Sequence, residues 1–485
     1  MRKLAVKSLK WSFLQQFSTQ IINYTSVIVL AALVEPAIQG FVTIASIPVG
    51  FVGVLGSFGV REKIIKEKQI DELYTQSLLG FIIVLSFIMY LLSILLVIII
   101  ALFYQSNFDF WTMLKYGMLI SSINPIIIFN HYFESFQTRE LNFKEIALLN
   151  TISLIAGILI SVFIAYIGYS YLAMSFKMIL PHLFFLILYL VYFKPSLKYS
   201  WNPTMYKEFK SFSAFLTLNN IANYFVRNID YIIIGKFFSA DVLGQYSIAY
   251  KILLFPMKNV TARIQQVALP MLSKLSIDSV DFKRKFLMII GLVAFIVFPM
   301  MAYVAITADI WVPLTFNKKY NLLIMMVGVL SFVGTFQSLV SPVGSLYLLN
   351  ESTKLMFRNS IINAVVITLV FLISSMWRDI YIVLISYSIS WLFLILPISI
   401  YWIFKSYGMK VISFFQAISP AAASISVALL ILYLYKTYTS FIHNEILQLS
   451  ITFVILISVY LMTYQLFNRS QDRSLKFYIQ LMRGK

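Results

Sequence analysis

Long apolar runs recur along this chain from about residue 9 to about residue 467, and they constrain its fold more than anything else in it. Each is about 20 residues long, which is what an α-helix needs to cross the hydrocarbon core of a bilayer. Helices satisfy every backbone N–H and C=O internally, so they are the natural spanning form in lipid. We place about fourteen: 9–33, 38–59, 78–104, 111–133, 146–167, 171–193, 211–236, 244–270, 286–307, 320–349, 356–376, 380–404, 412–435 and 446–467. The connectors are too short to bury a core of their own. With 60% hydrophobic and 12% charged residues, the expected class is an all-α polytopic membrane protein. Pro342 lies inside the tenth run and is expected to kink or break it. The first run follows a basic start, Met1–Lys10. It is too long for a signal peptide and has no small-residue cleavage site, so it reads as the first span. Cysteine is absent, which excludes disulfides and thiolate chemistry.

The net charge is +19, and its distribution explains it better than nucleic-acid binding does. Lys and Arg collect in cytoplasmic loops of membrane proteins. When the connectors are taken alternately, 27 of the 38 basic residues fall in the set that holds both tails, and 5 fall in the other. This predicts an even number of spans with both termini in the cytoplasm. Six basic residues remain inside spans: Lys115, Lys177, Arg227, Lys251, Lys258 and Arg263. The basic loops also point to contact with anionic lipid.

The chain repeats itself. Gly40-Phe-Val-Thr-Ile-Ala45 opens the second run, and Gly244-Gln-Tyr-Ser-Ile-Ala249 opens the eighth, 204 residues later. Six spans return a chain to its starting side, so the copies run parallel about an axis normal to the membrane. Transporters built this way bind substrate between the halves. The expected organisation is a six-helix half at 1–200 and a second at 201–405, around a central cavity. Two further helices and a basic tail follow at 406–485.

Charges inside a span are costly and are candidates for function. In the eighth run Lys251, Lys258 and Gln265 are spaced by seven and share a face, and Ser247 extends the stripe. Pro256 should bend this helix. Lys258 is near mid-depth and lines a cavity in this reading, whereas Lys251 could also snorkel outward. In the seventh run Asn220, Asn223, Arg227 and Tyr231 share a face, and Asp230 is placed to pair with Arg227. Gln16, Gln20 and Asn23 share a face of the first run, suited to glycan hydroxyls or to bridging helices. Lys177 and His182 lie in the sixth. Gly50, Gly53, Gly56 and Gly59 recur by three in the second, which favours close helix packing.

No phosphate-binding G-x-x-x-x-G-K-[ST] motif, zinc-binding H-E-x-x-H motif or nucleophile–base constellation is present. Neither a cofactor nor a metal site is expected, and the chain does not read as an enzyme. Two cationic spans with few intramembrane acids point instead to passage of an anionic substrate.

Asn228-Ile-Asp-Tyr-Ile-Ile-Ile-Gly235, then Leu243-Gly-Gln-Tyr-Ser-Ile-Ala-Tyr-Lys251, Pro256-Met-Lys-Asn259 and Leu269-Pro-Met-Leu-Ser273 complete the picture. This run resembles the Wzx-type polysaccharide flippases of the multidrug/oligosaccharidyl-lipid/polysaccharide exporter superfamily, closest to the colanic and teichuronic acid exporters. Glu140-Leu-Asn-Phe-Lys144 is similar to that family's short loop before the fifth span. One departure is Ser57, where the family often has an acid. The resemblance implies a bacterial cytoplasmic-membrane protein. Its substrate would be an oligosaccharide on an undecaprenyl-diphosphate-type carrier, moved to the outer leaflet by alternating access, with polysaccharide assembly proteins as partners. Arg227, Lys251 and Lys258 would hold the diphosphate. Rival readings are a peptidoglycan-precursor flippase and a cation-coupled multidrug exporter, the latter disfavoured by the basic cavity. A glycan polymerase is disfavoured by the short outer loops.

Overall fold

A computed structural model describes residues 2–56, 61, 64–65, 67, 70–201, 224–225, 227–277, 279–316, 318–349, 352–438 and 444–468. In chain order the helices of the first part are α1 (Arg2–Leu33), α2 (Pro36–Gly56), α3 (Glu72–Phe103), α4 (Phe110–Ser121), α5 (Ile123–Arg139), α6 (Phe143–Tyr166) and α7 (Ser170–Phe193). A helical stretch at 227–237 leads to α8 (Ala240–Leu253), a π-helical turn (Met257–Thr261) and α9 (Ala262–Leu272). Then come α10 (Val280–Ile306), α11 (Ala308–Thr315), α12 (Asn321–Leu349), α13 (Thr353–Ser375) and α14 (Ile380–Ser390). A second π-helical turn (Trp391–Ile395) precedes α15 (Leu396–Ser406), α16 (Val411–Tyr438) and α17 (Glu445–Phe467).

Eleven helical segments among the described residues are long and apolar enough to cross a membrane. They match the second to sixth and ninth to fourteenth expected spans. The other three differ for a physical reason. The amides of α1 dilute its apolar content, most of the seventh run lies outside the described residues, and the eighth is broken and carries three cations. All three carry polar side chains that the sequence singles out as candidates. The chain is an all-α polytopic membrane protein.

Several starts are fixed by side-chain caps that satisfy free N–H groups of the first turn. Asp71 accepts from Tyr74 N at 2.7 Å, Asp109 from Thr112 N at 2.7 Å, and Ser279 from Phe282 N at 3.1 Å. Breaks do not fall where Pro342 predicts one, because α12 runs unbroken through it. They fall at Ser122, just before Pro125, at the π turn after Pro256, and at the π turn just before Pro397. Proline removes the N–H that would bond four residues back, and a π turn is one way to absorb that loss.

The chain divides into two compact units, Met1–Ser247 and Ile248–Lys485. In the first, α6 packs along α7 and α1 lies against α6, while α2 contacts α3, α4 and α5. Its core includes Val52, Leu78, Ile82, Phe133 and Tyr189. In the second, α10 is central to α12, α16 and α17. Phe282 stacks on Tyr407 at 5.6 Å, and the Tyr407 hydroxyl donates to Leu346 O at 2.6 Å.

The repeated glycines meet. A Cβ on Gly40 would lie 1.9 Å from Ala240 O and 2.9 Å from Gly244 N. One on Gly244 would lie 1.8 Å from Pro36 O and 2.9 Å from Gly40 N. The pairs 36/240 and 40/244 both differ by 204, so exchanging the two copies leaves the contact unchanged.

Candidate functional site

A cavity of ≈650 Å³ opens within the first unit. Ser46, Val49, Gly50, Gly53 and Val54 of α2 form one wall, with Ile123, Asn124 and Ile127 of α5 and Met178 of α7 opposite; Tyr224 and Arg227 complete it. The α2 wall is built for this. A Cβ on Gly50 would fall 2.5 Å from the Tyr224 hydroxyl, and one on Gly53 would fall 3.2 Å from Asn124 Oδ1. The glycine recurrence therefore serves both close packing and the cavity lining, where packing alone is the simpler expectation.

Polar side chains then brace α2 around Pro48. The Tyr224 hydroxyl donates to Ile47 O at 2.7 Å. Asn124 Nδ2 donates to Val49 O at 3.0 Å and to Ser93 Oγ at 2.6 Å. Each leaves polar atoms near a ligand-sized space among apolar walls, which is the usual make-up of a binding pocket.

Among the described lining residues Arg227 is the cation of this cavity. Its side chain is exposed and makes no ion pair among the described residues. Asp230, three residues on, does not take it as partner. The carboxylate is buried and accepts from the Tyr246 hydroxyl at 2.8 Å and from Tyr231 N at 2.9 Å. Placement on one helix permits the Arg227–Asp230 pair, but the buried tyrosine wins the carboxylate.

The other candidates are spread more widely. Gln16 and Asn23 are exposed on α1 and Gln20 is half-buried, and none is among the cavity's lining residues. Lys177 is half-buried next to Met178 on α7. In the second unit Lys251 is half-buried near the end of α8, and Lys258 is exposed in the π turn, close enough for the two ammonium groups to repel. The seven-residue spacing assumes a regular helix, whereas the π turn changes the angular step between Lys258 and Gln265. Gln265 Nε2 donates to Ser341 Oγ on α12 at 3.1 Å. Asn223, its neighbours Asn219 and Asn220, Ser57 and Gly59 lie outside the described residues.

Sequence reasoning missed Ser46 and Asn124. The signal for Asn124 was present: Ser121-Ser-Ile-Asn-Pro125 is a polar patch with a helix breaker inside an apolar run.

Among solved structures the chain resembles the lipid II flippase MurJ in an inward closed conformation, with a TM-score of 0.73 and 16% identity, over 95% of this chain and 99% of that one. It also resembles an inward-facing multidrug resistance MATE family transporter of the MOP superfamily, with a TM-score of 0.60 and 13% identity, over 84% and 95%. The chain thus has the fold that these two transporters share. The sequence model of the polysaccharide biosynthesis protein family matches residues 29–325, more than half of the chain, and the chain belongs to that family. Its curated relatives include a protein of the Wzx type. The lipopolysaccharide biosynthesis protein WzxC of Escherichia coli (strain K12) is 24% identical over 74% of this chain and 72% of its own length. An uncharacterized membrane protein in the cps region of Klebsiella pneumoniae is 24% identical over 77% of each. The teichuronic acid biosynthesis protein TuaB of Bacillus subtilis (strain 168) is 29% identical over 32% of this chain and 34% of its own length.

Proposed function

We propose that this protein flips a polyprenyl-diphosphate-linked oligosaccharide, the repeat unit of a surface polysaccharide, from the cytoplasmic to the outer leaflet by alternating access. A lipid-linked sugar as cargo has the support of the family and of the relatives' names. The finer reading rests on one observation: an exposed Arg227, with no ion pair among the described residues, in a ≈650 Å³ cavity with Tyr224 and Asn124 beside it. A guanidinium offers five N–H donors in a planar fork that matches phosphate oxygens. Tyrosine and asparagine suit sugar hydroxyls, and Gly50 and Gly53 leave room for a bulky headgroup. In the first unit Lys177 adds positive charge and Gln16, Gln20, Asn23 and Asn223 add amides; in the second unit Lys251, Lys258 and Gln265 are the corresponding candidates. The lipid chain stays in the bilayer. The carrier is of the undecaprenyl type, the membrane is the bacterial cytoplasmic membrane with both termini inside, and assembly proteins receive the product.

The test is binding of a short-chain polyprenyl diphosphate to purified protein. A charge-assisted hydrogen bond contributes about 1.5–3 kcal/mol, so Arg227→Ala should weaken binding roughly 10- to 100-fold. Arg227→Lys should recover part of it by charge without the fork. Equal affinity in all three proteins would remove Arg227 from the site.

A further inference from the structure

The basic end of the second unit holds a cluster that the transport reading does not use. Arg358, on the second turn of α13, lies with its guanidinium carbon 4.3 Å from the centroid of the Trp402 ring on α15. One turn on, Lys405 Nζ stands 5.6 Å from the Tyr401 ring. The two helices are tied by Asn363 Nδ2, which donates to Ser399 Oγ at 3.1 Å, so the stacked pair sits on a braced surface. Gly408, at φ +57°, turns the chain beyond α15, and its missing Cβ would lie 3.5 Å from Lys283 Nζ. A third cation therefore borders the same end. Among the described residues Arg358 and Lys405 have no carboxylate partner.

Stacking fixes the plane of a guanidinium while leaving its edge donors free. Tryptophan and tyrosine favour the level of lipid headgroups, and basic side chains there attract anionic lipid. Below Arg358, toward the middle of α13, Ile361 and Val365 are exposed on the same face at 46% and 51%, and Phe357 flanks it at 54%. A cationic, aromatic-backed seat above an apolar stripe has the shape of one lipid: phosphate on top, acyl chain below. We infer that Arg358, Trp402, Lys405 and Tyr401 form a seat for the headgroup of one anionic phospholipid of the leaflet at this end, with an acyl chain along Ile361 and Val365. This inference stands apart from the proposed transport and does not depend on it.

The experiment uses the full chain in detergent, titrated with phosphatidylglycerol or phosphatidylcholine and read by native mass spectrometry, with a parallel arm of inorganic phosphate. One phosphatidylglycerol should be retained in preference to phosphatidylcholine. Arg358→Gln should weaken that retention about fivefold, and Trp402→Leu should weaken it too. Lys318→Gln, the same charge change elsewhere, should not. Unchanged melting in phosphatidylcholine shows that each variant folds; should Arg358→Gln not fold, Lys405→Gln carries the comparison. Equal loss in the Arg358 and Lys318 variants would reduce the effect to net charge and overturn the seat. Displacement of the lipid by millimolar phosphate would overturn its assignment to a phospholipid.

Discussion

Arg227 and Asp230 show how far a single residue can be read from its neighbours in sequence. Both were legible as costly groups in a spanning run, and helical spacing allowed them to pair. What sequence could not show is Tyr246, sixteen residues on, whose hydroxyl takes the carboxylate at 2.8 Å. That contact leaves Arg227 without its nearest acid. Asp230→Asn should retain the Tyr246 bond, since an amide oxygen still accepts. Asp230→Leu removes the acceptor that the buried Tyr246 hydroxyl uses, at a cost of about 1–3 kcal/mol. Thermal melts of the two variants check this, and equal melting would remove the carboxylate's bracing role. Asn124 was missed because an amide before a proline reads as a helix break, and only the fold brings it to Gly53.

At the level of elements, the apolar runs predicted the spans well, because the bilayer sets helix length directly. Interruptions were less legible. Pro342 leaves α12 unbroken, whereas Pro256 precedes a π turn that carries Lys258. Proline signals a missing donor, but the neighbouring packing decides whether the helix opens. The glycine repeat was legible as a repeat and not as a contact. Its geometry predicts that Gly40→Val and Gly244→Val each destabilise strongly, since backbone atoms would meet the new carbon at 1.9 and 1.8 Å. Gly328→Val, which has open space, should be tolerated far better. Expression and melting of the three variants compare these outcomes directly. The cap of α4 predicts a pH effect. The Thr112 N–H holds the Asp109 carboxyl below its usual range. A carboxylate depressed by folding stabilises above its unfolded pKa, and that contribution is lost as pH falls through the folded value. Asp109→Asn should flatten the part of the melting profile that falls on acidification.

For the whole molecule, composition alone established a polytopic helical membrane protein, and the loop charges gave its expected orientation. The family signature sits across residues 228–273, which includes a helix interrupted by a π turn. The cavity was less legible, because it is formed by residues from four separate stretches of chain that only folding assembles. Its exposed Arg227 and glycine-thinned wall fit an anionic headgroup carrying a bulky polar group. The most direct test of that central claim is transfer of a fluorescent polyprenyl-diphosphate oligosaccharide across proteoliposome membranes, followed by its loss to an external quencher. Wild-type protein should speed transfer over empty liposomes, and Arg227→Ala and Lys258→Ala, folded and equally reconstituted, should reduce it at least tenfold. Transfer at the empty-liposome rate by the wild type, or at the wild-type rate by both variants, would contradict the account.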